Sequence, residues 1–276
     1  MNQLQSSIIQ ELKENGIAKS HVKDLFDNST LRQFENSFQF FNNFVSSPHI
    51  QNRCKRIAEG NPIRDRNKWY EITQYEYLNR ALGLNDGDVI NMYLSPILTE
   101  MAEAFHGTIP KLRNVLTWVH PQNALKSEMA SQIWHRDQED WAIFKVFIYF
   151  SNITSKNGAL KYAKKTQHGG KYQDITNNMN GKSTSQFNYN LPEEEVVIAE
   201  GEVGTIYFVN TNGLHKGGLV DEGIRRLTQA NYLNPNAPLI QNGTLGTFNY
   251  SDRVNSLDIQ SESYTLLTNK QQLILS

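Results

Sequence analysis

Apolar residues recur every three or four positions through the first third of the chain and then give way to short alternating runs. Leu4, Ile8, Ile9 and Leu12 fall on one face of a helix that Gly16 would end. Ser29 is placed to cap a second helix carrying Phe34, Phe38, Phe41 and Val45 on its buried side. A longer helix is predicted over 88–105, where Ile90, Tyr93, Ile97, Met101 and Phe105 keep the same period.

After Gly107 the pattern predicts strands at 112–119, 131–135, 143–150, 160–163, 195–199, 204–209 and 226–233. Turn signals separate them: Pro121-Gln122-Asn123, Asn157-Gly158, Gly169-Gly170, Gly201 and Asn212-Gly213. Many short strands at this spacing predict a mainly β protein, a double-sheet barrel or jelly roll with N-terminal helices covering one sheet. The expected organisation is one domain over 1–276: a helical part at 1–107, a jelly-roll core at 108–234 and a tail at 235–276. Residues 171–192, rich in Asn, Ser, Thr, Gln and Tyr, are too long for a simple connection and read as a lid or an insertion. No internal repeat is visible.

With 276 residues the chain can bury a large core, and a net charge of −1 gives no reason to expect nucleic acid or an anionic membrane as partner. Cys54 is the only cysteine, which excludes a disulfide framework and a thiolate zinc site. Residues 1–20 are polar and lack a signal peptide's apolar centre. No run approaches the roughly 20 apolar residues of a membrane span. The expected compartment is the cytoplasm. Oligomeric state is not readable from these features.

The chemistry concentrates at His135-Arg136-Asp137. On a strand, residues two apart share a face, so His135 and Asp137 can address one ion. A histidine from a distant strand would complete a two-histidine, one-carboxylate triad with open positions, the arrangement of non-haem Fe(II) oxygenases. His215 follows a predicted strand and the Asn212-Gly213 turn, and Arg225 comes ten residues later. An arginine buried in a barrel is costly unless it meets an anion, and its planar fork suits a carboxylate. A single His-X-Asp also arises by chance, with His135 then an ordinary histidine at a strand end.

Gln132-X-Trp134-His135-X-Asp137, the run from Lys145 to Ile153, Asn157-Gly158-Ala159-Leu160 and the Gly204, His215, Arg225 block together resemble the phytanoyl-CoA dioxygenase family. The resemblance covers about 112–233. It implies a double-stranded β-helix (cupin-like) core and an oxygenase using Fe(II), 2-oxoglutarate and O2. It further implies hydroxylation of a small-molecule C–H bond with release of succinate and CO2. His135, Asp137 and His215 match the family's iron ligands, and Arg225 matches the arginine that pairs with the distal carboxylate of 2-oxoglutarate. Arg226 is the alternative if the register slips by one. Gly217 departs from the pattern, since relatives often carry serine there, and Thr228 or a tyrosine would have to substitute.

Trp141, four residues past Asp137, is a candidate for the substrate pocket or for core packing. Trp118 is a second such candidate, and Trp134 should face away from the metal. His168 matches a structural histidine of the family, while His21, His49, His106 and His120 have no partners at ligand spacing. The acidic run Glu193-Glu194-Glu195 reads as a solvated strand entrance, and Lys161, Lys164 and Lys165 lie close together. Asp137 stands where halogenases of the superfamily carry glycine or alanine, which favours hydroxylation. The overall impression is similar to natural-product enzymes that hydroxylate guanidinium alkaloid toxins of the cylindrospermopsin type. Two rival readings stay open: a cupin-like metal hydrolase or isomerase with no use for Arg225, and a non-catalytic jelly-roll binding module.

Overall fold

The computed structural model describes residues 1–59, 72–73, 87–122, 128, 130–176, 193–237 and 274. The first helix, α1 (Gln3–Asn15), begins with a reciprocal cap between Asn2 and Gln5. It ends at Gly16, whose φ of +79° is the left-handed conformation that glycine adopts without strain. Its buried stripe is Gln5, Ile8, Ile9 and Leu12, with Leu4 exposed. The chain reverses at Gly16 into β1 (Ile17–His21), a strand inside the third expected to be helical.

Two helices follow, α2 (Val22–Leu25) and α3 (Asn28–Ser46). The cap of α3 is Asp27 rather than Ser29: its carboxylate accepts from Thr30 N at 2.7 Å, which holds the carboxyl below its usual range. After α4 (Pro48–Ala58), the helix predicted over 88–105 appears as two, α5 (Gly87–Tyr93) and α6 (Pro96–His106). The break lies at Pro96, which lacks an N–H and forces Ser95 out of the helical region, to ψ 146°.

The strands among the described residues form two antiparallel sheets. The large sheet has the order β1-β7-β4-β9-β3-β2, from β2 (Ile72–Thr73), β3 (Lys111–Pro121), β4 (Phe144–Tyr149), β7 (Thr205–Val209) and β9 (Ile224–Leu233). The small sheet is β6-β5-β8, from β5 (Leu160–Ala163), β6 (Val196–Ala199) and β8 (His215–Lys216). The strand predicted at 131–135 is instead a 3-10 turn, Ala130–Gln132, followed by a bridge between His135 and His215. Of the presumed lid only 171–176 is described, including a 3-10 turn at Gln173–Thr176; most of the tail also lies outside the described residues.

Alternation divides the large sheet into two faces. Val146, Ile148, Phe208, Ala230 and Tyr232 point to the helices, packing with Ile8, Phe34, Phe41, Met92 and Met101 in one continuous core. Phe150 anchors α3, with its ring 5.1 Å from Phe34 and 5.5 Å from Phe41. The other face meets the small sheet, where Tyr149, Tyr207 and Leu227 pack with Tyr162 and Ala199. The architecture is a jelly roll backed by helices. No helix among the described residues is long and apolar enough to cross a membrane.

Candidate metal centre

His135 and His215 meet because their backbones form a hydrogen-bonded antiparallel pair, each N–H donating to the other's carbonyl at 3.0 Å. Asp137 N donates to Thr211 O at 2.9 Å, which holds the third residue against the same turn. The imidazole Nδ1 of His135 lies 2.7 Å from Ile133 O, and that of His215 lies 2.9 Å from Gly213 O. Nδ1–H donors on carbonyls leave both Nε2 lone pairs free to face the cavity. His135 Nε2 is 3.7 Å from Asp137 Oδ1, and His215 Nε2 is 3.9 Å from Asp137 Oδ2. All three ligand atoms lie within 4.8 Å of one another.

This donor set fits a first-row divalent ion. Neighbouring ligands at about 2.1 Å from an ion stand roughly 3 Å apart. The observed spacings exceed that by an amount side-chain rotation spans. The protonation states also suit a cation. Burial, with help from His135, pushes His215 down to about 3, so its ring is neutral near neutrality. Burial opposes ionisation of Asp137, but the Lys145 ammonium outweighs it and holds the carboxyl well below the usual range. Lys145 Nζ is 2.5 Å from Asp137 Oδ2.

The triad opens on a cavity of about 290 Å³ between the two sheets. Its wall on the large sheet is a grid of side chains from β3, β9 and β4, set by the ladder register. Along the grid the rows are Asn114, Asn231 and Lys145; then Leu116, Gln229 and Phe147; then Trp118, Leu227 and Tyr149. The last row pairs His120 with Arg225. Arg225 is 8% exposed; its Nη1 donates to Gly158 O and its Nε to His120 Nδ1 at 3.4 Å. Gly158, at φ +93°, permits this approach, because a Cβ there would lie 3.1 Å from Arg225 Nη1.

Arg225 and the triad therefore share one cavity, and Trp118 lines it, stacked 5.5 Å from His120. Arg226 faces the other way, its Nη1 donating to Asn42 on α3. Trp134 is buried against Ala163 and Leu214, away from the cavity. Trp141 is not among the residues lining it: the side chain is 63% exposed, with its ring 5.1 Å from the exposed His168. Its position in a solvent-facing turn after Asp140, rather than on a strand, explains the difference. Thr228 also turns from the cavity, bonding Tyr93 OH at 2.6 Å, and Tyr149 OH donates to Ala199 O at 2.7 Å.

Two cavity residues carried no signal at ligand spacing, His120 and Lys145. His120 becomes visible only through its register with Arg225, and Lys145 only through the β4 ladder. Glu195 is not a free acidic group, because Lys164 and Lys165 reach it at 3.3 and 2.9 Å. Those lysines are thereby held together at the start of β6.

No family model matches the chain, and no curated protein matches it by sequence. Its fold, however, is that of solved jelly-roll enzymes. AviO1 from Streptomyces viridochromogenes Tue57 superposes with a TM-score of 0.54 at 14% identity, over 85% of this chain and 96% of that one. SnoK, a non-haem α-ketoglutarate-dependent carbocyclase from nogalamycin biosynthesis, gives 0.53 at 11% identity, over 89% and 90%. HygX from Streptomyces hygroscopicus, solved with nickel, 2-oxoglutarate and hygromycin B bound, gives 0.50 at 11% identity, over 84% and 87%.

Proposed function

We propose that the protein is an Fe(II)- and 2-oxoglutarate-dependent oxygenase that hydroxylates a C–H bond of a small polar metabolite, releasing succinate and CO2. The observation that carries this reading is the shared cavity: His135, Asp137 and His215 converge on it, and the buried Arg225 guanidinium closes one end. A cupin-like hydrolase would need the triad but not the arginine. HygX binds 2-oxoglutarate and SnoK depends on α-ketoglutarate, which supports the same assignment here. The oxygenase unit in this reading is 1–276, because helices and large sheet share a core. A reducing, cytoplasmic setting suits ferrous iron.

Ferrous iron held by His135, Asp137 and His215 would supply oxygen activation, with 2-oxoglutarate as the reductant. The chain does the rest by placement. Arg225 binds the far carboxylate of the co-substrate, and His120 steadies the guanidinium by accepting from Nε. Leu227, Trp118 and Tyr149, one row nearer the triad, keep water from the co-substrate's methylene chain. Asp137 fills the third protein position, so none is left open for a halide. A natural-product tailoring step fits a cavity of this size and mixed polarity.

A panel of polar metabolites screened by succinate release under 18O2 tests the reaction. Hydroxylation predicts one labelled oxygen in the product and one in succinate. A product lighter by two hydrogens would replace hydroxylation with desaturation or ring closure.

A further inference from the structure

The end of the cavity remote from Arg225 is built differently. β3 carries a bulge between Leu112 and Asn114, and the extra residue is Arg113. The bulge turns Leu112 to the helical core and brings both Arg113 and Asn114 to the cavity. Arg113 is held there by Glu139, Nη1 to Oε1 at 2.5 Å, so the two charges cancel. Asn114 faces Asn231 directly across the β3–β9 ladder. Asn231 is 3% exposed, and the Oδ1 atoms of both asparagines are buried without a hydrogen-bond partner among the described residues. A buried unsatisfied carboxamide costs stability, so two in adjacent ladder positions on a cavity wall call for a ligand.

We propose that Asn114 and Asn231, with Gln229 one row away, form the substrate subsite, and that it takes a neutral, hydroxyl-bearing ring such as a cyclitol or sugar. This rests on the oxygenase reading, which assigns the Arg225 end to 2-oxoglutarate. The unsatisfied atoms are acceptors, so the ligand must donate. A carboxylate cannot donate. An ammonium or guanidinium would donate but has no lone pair with which to accept from the asparagine amide groups. Hydroxyls donate without charge and also accept from the asparagine amide groups. The row spacing of about 6.7 Å puts Asn231 and Arg225 roughly 20 Å apart along β9, enough for both ligands.

The test uses protein loaded with Zn(II) and 2-oxoglutarate, after 2-oxoglutarate binding has itself been measured by calorimetry. Saturation-transfer NMR then compares myo-inositol and methyl α-glucoside with agmatine, a guanidinium cation. The polyols should bind and agmatine should not. Asn231→Leu and Asn114→Leu should each weaken the polyols at least tenfold while 2-oxoglutarate binds as before. Polyols that bind the variants equally, agmatine binding in preference, or no polyol binding to the loaded protein would each overturn the subsite. Failure of 2-oxoglutarate to bind at all would instead remove the oxygenase reading.

A second readout needs no ligand. Asn231→Leu removes an unsatisfied buried group and should raise the Tm of the free protein by about 2–4 °C. A lower Tm would make Asn231 a structural residue and contradict the proposal.

Discussion

Lys145 holds the carboxylate that a metal would take. Its ammonium is 2.5 Å from Asp137 Oδ2 in a pair that is largely buried, so removing it strands a negative charge. Lys145→Met should cost the metal-free protein about 3–5 kcal/mol in urea unfolding. Co(II) should restore more stability to the variant than it adds to the wild type, because the ion replaces the lost cation. Equal stability of the two apo-proteins would show that the pair does not hold Asp137. At Gly217 a Cβ would sit 3.9 Å from Arg225 Nη2 and 3.6 Å from Ser131 O, ordinary contacts. Gly217→Ser should therefore add a hydroxyl beside the guanidinium and tighten 2-oxoglutarate severalfold by calorimetry; weaker binding would mean the added group obstructs the carboxylate. The spacing His135-X-Asp137, His215 and Arg225 was legible because each residue sits beside a recognisable turn or strand. Lys145 and His120 were not, since their role depends on which residues the ladders set side by side.

At the level of elements, the two departures in the helical third have local causes. Pro96 interrupts a continuous apolar period that by itself reads as one helix. β1 is only five residues, Ile17-Ala18-Lys19-Ser20-His21, without a clear alternation, and it forms because Gly16 turns the chain onto β7. A Cβ at Gly16 would fall inside the Tyr162 hydroxyl, and φ there is +79°. Gly16→Ala should cost about 3 kcal/mol in denaturant unfolding, from backbone strain and overpacking combined. A cost below about 1 kcal/mol would mean the turn relaxes freely. His106, near the end of α6, has its Nε2 3.1 Å from Tyr232 O, and burial pushes its pKa below the ordinary value of 6.5. The unfolded chain then binds the proton that the folded one refuses, so this residue costs stability as pH falls below about 6.5. In His106→Gln the loss of unfolding free energy between pH 7 and 5.5 should be smaller than in the wild type. An unchanged loss would place the acid sensitivity elsewhere.

Across the whole molecule the large sheet works as a partition. One face carries the apolar residues that bind the helices; the other carries the rows that run from Asn114 and Asn231 to Arg225. A strand's alternation predicts that there are two faces. It does not say which residues of β3, β4 and β9 share a row, and the bulge at Arg113 shifts the alternation without any glycine or proline to mark it. The mainly β architecture with covering helices was therefore readable, while the layout of the cavity was not. The most direct test of the account is an anaerobic titration of the metal-free protein with Fe(II) and then 2-oxoglutarate, followed by visible absorption. The wild type should show a metal-to-ligand charge-transfer band that Arg225→Ala loses at the same 2-oxoglutarate concentration, with iron still bound. No band in iron-loaded wild type, or a band unchanged in the variant, would contradict it.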